Sequence, residues 1–109
     1  MKRIEAVVRR HKLSEVKRAM AAVPHSGLIA CDTTEQDPHG ETVLLYRGSR
    51  RIDDMTPRVS ISVLVDEADA GAAVDAIATA ARTGRDGDGT ILVVPVEEVI
   101  QISRRAVVA

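Results

Sequence analysis

Aromatic residues are almost missing from this chain of 109 residues: it has no Phe and no Trp, and Tyr46 stands alone. Sheets that read single-stranded RNA stack bases on aromatic side chains, so this absence argues against a nucleic-acid partner. The core must be assembled from Val, Ile, Leu, Met and Ala. Such side chains bury less area each than aromatics do, and small aliphatic cores often draw on contacts between subunits, so an oligomer is expected. One cysteine, Cys31, excludes an internal disulfide and a CxxC site. It is expected to be a small buried hydrophobe rather than a reactive thiol. Neither sign of charge dominates: 15 basic and 16 acidic residues leave a net charge of −1, without the basic face that nucleic acid or an anionic membrane attracts. No apolar run approaches the ~20 residues of a membrane-spanning helix, and a cytoplasmic location is expected. His11, His25 and His39 lack metal-ligand spacing and are expected at or near the surface. No Ser-His-Asp order and no pair of carboxylates in an apolar setting is evident, so neither a catalytic residue nor a metal site is assigned and a non-enzyme is expected.

What the chain does have is clear periodicity. In residues 3–9, Ile4, Ala6 and Val8 alternate with Arg3, Glu5, Val7 and Arg9, the two-residue period of a half-buried strand. From Ser14, a candidate N-cap, Val16, Ala19, Met20 and Val23 follow helical spacing until Pro24 stops the run. Gly27 opens a short strand over 28–32. Residues 58–65 place Val59, Ile61, Val63 and Val65 on one strand face. Asp66 is a candidate cap for a second helix with an apolar stripe of Ala70, Ala73, Val74, Ile77 and Ala81. An apolar strand, "TILVVPV", follows, and "EEVIQIS" reads as a helical turn or a last extended piece. The order β-α-β-β-α-β in one domain over residues 1–109 is that of the ferredoxin-like α+β fold, an antiparallel sheet with two helices on one face.

Two segments exceed what this fold needs. Residues 33–57 would form a connection several times longer than the usual ~4–6 residues, with "TVLLY" as an apolar centre able to pair as a hairpin or to contact a partner. Between the second helix and the strand that follows lies "TGRDGDG", with glycines at 84, 87 and 89. Glycine permits positive φ and lets backbone N–H groups converge on an anion, so the segment is a candidate phosphate nest. It is neither a Walker A motif nor a dinucleotide fingerprint, and a calcium loop would need glycine where Ile91 stands.

Four stretches, "MKRIEAVVRRHKLSEVKRAM", "LLYRG", "ARTGRDGDGTILVVPVEEVIQI" and the long connection between Gly27 and Pro57, together resemble the PII signal-transduction (nitrogen regulatory PII) family over nearly the whole chain. The resemblance implies a homotrimer that binds an adenine nucleotide, as an effector and not a required cofactor, in each cleft between neighbours. It also implies a long T-loop, about residues 36–55, that engages a protein partner such as a transporter or a metabolic enzyme. By the same resemblance Gly27, Ile29, Leu64, Gly87, Asp88, Gly89 and Thr90 line the nucleotide cleft. His39 and Arg58 fall where the family meets a second effector, and Tyr46, Arg47, Ser49 and Arg51 lie in the partner-binding loop.

Departures from the family's pattern point to a divergent member with altered ligand chemistry. Ile29 and Thr90 stand where the family usually has threonine and lysine, and Gln101 and Ser103 replace two arginines. His39 replaces a glutamine that helps to hold magnesium and 2-oxoglutarate, Arg58 replaces a lysine, and Glu35 and Asp37 replace glycines at the loop's base. The modifiable tyrosine of the family is Arg51, which leaves Ser49 among arginines as a candidate phosphorylation site. Two alternatives are a metal-binding trimer of the divalent-cation-tolerance type and a small nucleotide-hydrolysing enzyme. A branched residue at Gly89 is expected to crowd the phosphate nest without unfolding the protein.

Overall fold

The computed structural model describes residues 1–36, 42–46, 49–53, 55–103 and 106–107. In chain order the elements are β1 (Lys2–Val8), α1 (Leu13–Met20), β2 (Ile29–Gln36), β3 (Thr42–Tyr46), β4 (Ser49–Asp53), β5 (Met55–Val65), α2 (Ala70–Ala81), β6 (Gly89–Pro95), β7 (Ile100–Gln101) and β8 (Ala106–Val107). The main sheet has the order β2-β5-β1-β6, every neighbouring pair antiparallel. With two helices packed over it, this is the expected ferredoxin-like α+β fold.

Strand alternation produces the core. Ile4, Ala6 and Val8 of β1 and Val59, Ile61, Val63 and Val65 of β5 turn to the helices and are all at most 2% exposed. Val16 and Met20 from α1 and Ala73, Ile77 and Ala81 from α2 close over them. Each large aliphatic side chain buried in this way contributes about 1.5–3 kcal/mol. Ala70 and Val74 of the expected stripe pack against the same cluster, half-buried. The run after α1 tightens into i→i−3 turns, with the Ala22 N–H donating to the Ala19 carbonyl and the Val23 N–H to the Met20 carbonyl, before Pro24.

Three local expectations are corrected. Ser14 is not the cap of α1: it lies inside the helix, the cap position is Lys12, and no side chain bonds there. Asp66 precedes a 3₁₀ turn at Glu67–Asp69 and likewise makes no side-chain capping bond. In both cases a single 3₁₀ turn, Arg10–Lys12 or Glu67–Asp69, comes before the α-helix and supplies its entry. Cys31 is exposed rather than buried. It lies on β2, an edge strand that, among the described residues, pairs only with β5 and has no fully buried residue.

The long connection is shorter than its sequence suggests, because β2 runs on to Gln36 and β5 begins at Met55, with Glu35 opposite Thr56 and Gln36 opposite Met55. Polar side chains do not prevent a strand when backbone partners are available. "TVLLY" takes its hairpin reading as β3, which pairs with β4. The C-terminal segment takes its extended reading, Ile100–Gln101 pairing with Ala106–Val107.

Register fixes what lies at each end of the main sheet. Gly89, Val8, Val59 and Asp32 align at one end. Pro95, Lys2 and Val65 align at the other.

Candidate functional site

The segment between α2 and β6 is organised around one carboxylate. Asp88 accepts from the Thr83 N–H at 2.8 Å, the Gly84 N–H at 3.1 Å and the Arg9 Nε at 3.3 Å, and the Thr83 hydroxyl donates to it as well. Four donors on one acidic group fold residues 83–88 back on themselves. Arg9, at the end of β1, also donates through a terminal guanidinium nitrogen to the Asp86 carbonyl at 2.9 Å, and the Arg85 N–H donates to the Thr83 hydroxyl oxygen at 3.2 Å. The Thr83 hydroxyl and N–H, helped by the Gly84 N–H and Arg9, hold the Asp88 carboxyl well below the usual carboxylate range against a smaller opposing effect of desolvation. Asp88 is therefore ionised whenever the protein is near neutral pH.

Two glycines here have different reasons for being glycine. Gly87, at φ +86°, faces two guanidinium groups: a Cβ there would stand 3.4 Å from an Arg58 terminal nitrogen and 3.6 Å from one of Arg9. Its missing side chain leaves a backbone surface beside two cations, a setting suited to an anion. Gly89, at φ +127°, is held against β1, where an added Cβ would meet the Val7 carbonyl oxygen at 2.0 Å. The expectation that a larger residue at 89 would disturb only a ligand nest is thus corrected: the first obstacle is the backbone of the neighbouring strand.

The residues expected to line one nucleotide cleft fall into two groups. Gly87, Asp88, Gly89 and Thr90 gather at the Val8–Val59 end of the sheet, where a cavity of about 170 Å³ opens between Ala78 and Ala81 of α2 and Gly89, Thr90 and Ile91 of β6. Gly27, Ile29 and Leu64 lie toward the opposite end: Gly27 takes φ +120° in the turn before β2, the Ser26 N–H donates to the Leu64 carbonyl at 3.1 Å, and Ile29 pairs with Ser62 while 66% exposed. A second cavity of about 260 Å³ lies there, bounded by Met1, Pro24, His25, Ser26, Leu64 and Asp66 among its walls. Both volumes are below the ~300–1,000 Å³ of common ligand pockets. Within one chain the two groups do not meet.

Arg58 lies near Gly87 with only 5% of its surface exposed, and its Nε has no hydrogen-bond partner among the described residues. His39 and Arg47 lie outside the described residues, as do the side chains of Tyr46, Ser49 and Arg51, whose backbones form part of β3 and β4. His11 is exposed, and the His25 ring shares a hydrogen bond of 2.8 Å with the Val23 carbonyl. Among the described residues, no three His, Cys, Asp or Glu side chains gather as a metal site, and no helix is long and apolar enough to cross a membrane. Sequence reasoning missed Arg9 and Thr83. The signal for Thr83 was its spacing of five from Asp88 across a glycine turn, whereas Arg9 lies 79 residues from Asp88 and is brought to it only by the pairing of Val8 with Gly89.

The model of the family described as nitrogen regulatory protein P-II matches residues 1–106. A nitrogen regulatory protein P-II of Azospirillum brasilense is 42% identical over 105 residues, covering 94% of this chain and 91% of its own length. One from Rhizobium meliloti (strain 1021) is also 42% identical with the same coverage, and one from Nostoc punctiforme is 36% identical.

Proposed function

Since this chain belongs to the nitrogen regulatory P-II family and so has a signalling, regulatory role, we propose that it senses an adenine nucleotide held between copies of itself and passes that state to a protein partner through the long loop. The observation that carries the reading is the glycine segment, drawn together by Asp88, Thr83 and Arg9 so that Gly87 presents backbone to a bound anion. The two groups of cleft residues occupy opposite ends of one sheet, each with a cavity too small for a whole nucleotide. A homotrimer in which the Gly27–Leu64 end of one copy meets the Gly87–Thr90 end of the next would complete three clefts, one per interface. Base and ribose would lie against Gly27, Ile29 and Leu64, and phosphates against Gly87, Gly89 and Thr90, with Asp88 holding the loop in form.

Charge sets the nucleotide preference. Thr90 contributes no cation, and the Arg9 guanidinium at the loop is already paired with Asp88 at 3.3 Å. A terminal γ-phosphate would bring further negative charge that Thr90 does nothing to offset. Calorimetry with AMP, ADP and ATP is expected to show ADP or AMP binding at least as tightly as ATP. ATP binding more than about tenfold tighter, a gap of ~1.4 kcal/mol, would contradict this preference, and the absence of saturable heat with any of the three would overturn the nucleotide reading.

The output surface is the β3–β4 hairpin, whose strands include Tyr46, Ser49 and Arg51, with Arg47 between Tyr46 and Ser49 in the sequence. A transporter or a metabolic enzyme in the cytoplasm fits a loop of this reach. With Arg51 where the family carries a modifiable tyrosine, phosphorylation of Ser49 beside Arg50 and Arg51 would be the covalent route to control. A second effector at Arg58, near His39 in the family's arrangement, would have to be a carboxylate or another oxyanion, because a guanidinium selects for one.

A further inference from the structure

The cavity at the Gly27–Leu64 end is walled in part by a histidine whose free nitrogen has a defined role. His25 lines it together with Pro24, Ser26, Leu64 and Asp66. The residue is half-buried, although its neighbours Pro24 and Ser26 are exposed. Its Nδ1 lies 2.8 Å from the Val23 carbonyl oxygen. A carbonyl only accepts, so Nδ1 carries the proton and donates, and Nε2 of the neutral ring holds a lone pair. That Nε2 has no partner among the described residues.

Size and lining suit a flat ring. An apolar cavity of about 150 Å³ holds benzene, and this one, at about 260 Å³, has room for a bicyclic base though not for a whole nucleotide. Pro24, Leu64 and Val65 supply apolar wall, and Ser26, Asp66 and His25 bring polar side chains. The Ser26 N–H is already given to the Leu64 carbonyl at 3.1 Å, so only the hydroxyl of that residue remains as a donor. An aspartate carboxylate accepts, and a serine hydroxyl both donates and accepts whatever the pH. Of the three, the imidazole is the one that turns from acceptor to donor when it takes a second proton near neutral pH.

We infer that His25 sets the base specificity of this site by reading the group at position 6 of a purine. With Nε2 unprotonated the ring accepts from the 6-amino group of adenine; protonated, it donates to a 6-oxo group such as that of hypoxanthine. The inference rests on the reading that a nucleotide base lies at the Gly27–Leu64 end, and it names the side chain that selects that base. The other ionisable groups on the cavity wall are the Asp66 carboxyl and the Met1 amino group. Histidines gain their proton between about pH 8 and 5, so the preference for adenine is fullest at the upper end of this range and falls as the pH is lowered.

The test is displacement of fluorescent ADP by ADP and by IDP, in wild type and in His25→Gln, at about pH 8 and about pH 5.5. The ratio of the two dissociation constants is read, because titration of the phosphates and of other histidines acts on both nucleotides alike. In wild type the preference for ADP over IDP is expected to fall at least ~10-fold between the two pH values. In His25→Gln, which keeps Asp66 and Met1 and replaces the imidazole by an amide that does not titrate, the ratio is expected to stay constant. A constant ratio in wild type, or an equal fall in both proteins, overturns the inference and leaves the nucleotide reading in place. No saturable binding of fluorescent ADP by wild type at either pH overturns the nucleotide reading and this inference with it. The wild-type ratio carries the first comparison by itself, so a His25→Gln chain that does not fold leaves the test standing.

Discussion

Replacing Gly89 by valine is expected to lower the melting temperature by ~10 °C or more for a domain of this size. The residue takes φ +127°, and an added Cβ would stand 2.0 Å from the Val7 carbonyl oxygen. The obstructing atoms are backbone, with no flexible side chain to yield, so β6 must separate from β1 at its first pair, Val8 with Gly89. The strain of a branched residue at positive φ and the lost strand contact together cost about 2–4 kcal/mol. Gly71 supplies the contrast: it lies on α2 with nothing within 4 Å of the position an added methyl group would take, and Gly71→Ala should raise the melting temperature slightly. Thermal melts followed by circular dichroism compare the two. A Gly89→Val chain as stable as wild type would mean that the close approach to Val7 is not what selects glycine there.

Asp88→Ala is expected to act on binding instead, weakening ADP by at least ~30-fold while shifting the melting temperature little. Removing the carboxylate releases the Thr83 N–H, the Thr83 hydroxyl, the Gly84 N–H and Arg9 together. The bend that places Gly87 beside the guanidinium groups then has no common anchor. None of the residues freed belongs to the apolar cluster of the core, so the fold survives. Thr83→Val should show a smaller loss, because it removes one of the four donors and keeps the backbone ones. Fluorescent-ADP titrations beside melting curves check both effects, and unchanged ADP affinity in Asp88→Ala would contradict the role given to the loop.

The parts of this fold that were legible in sequence are those governed by one strong physical preference. Ile4, Ala6 and Val8 and the Val59–Val65 series alternate because one sheet face is buried, and both strands appear where that period runs. The Ala70–Ala81 stripe places α2 in the same way. Ser14 and Asp66 misled because capping preference is local, whereas a 3₁₀ turn ahead of each helix fixed the actual entry. Cys31 misled because residue type speaks to average burial and not to edge position. At the site, the glycine pattern and the family resemblance marked residues 83–90, but the reason for each was hidden. Gly89 answers to Val7 and Asp88 to Arg9, partners from the far end of the chain that only sheet register brings near. The same register separates Gly27, Ile29 and Leu64 from Gly87, a division that no local motif could disclose.

The proposed cleft needs two copies, and that requirement is most directly tested by native mass spectrometry with ADP. The account predicts assemblies of three chains carrying up to three ADP, no ADP on single chains, and three chains without ADP for Asp88→Ala. ADP bound to isolated single chains, or a wild-type assembly that takes up none, would contradict it.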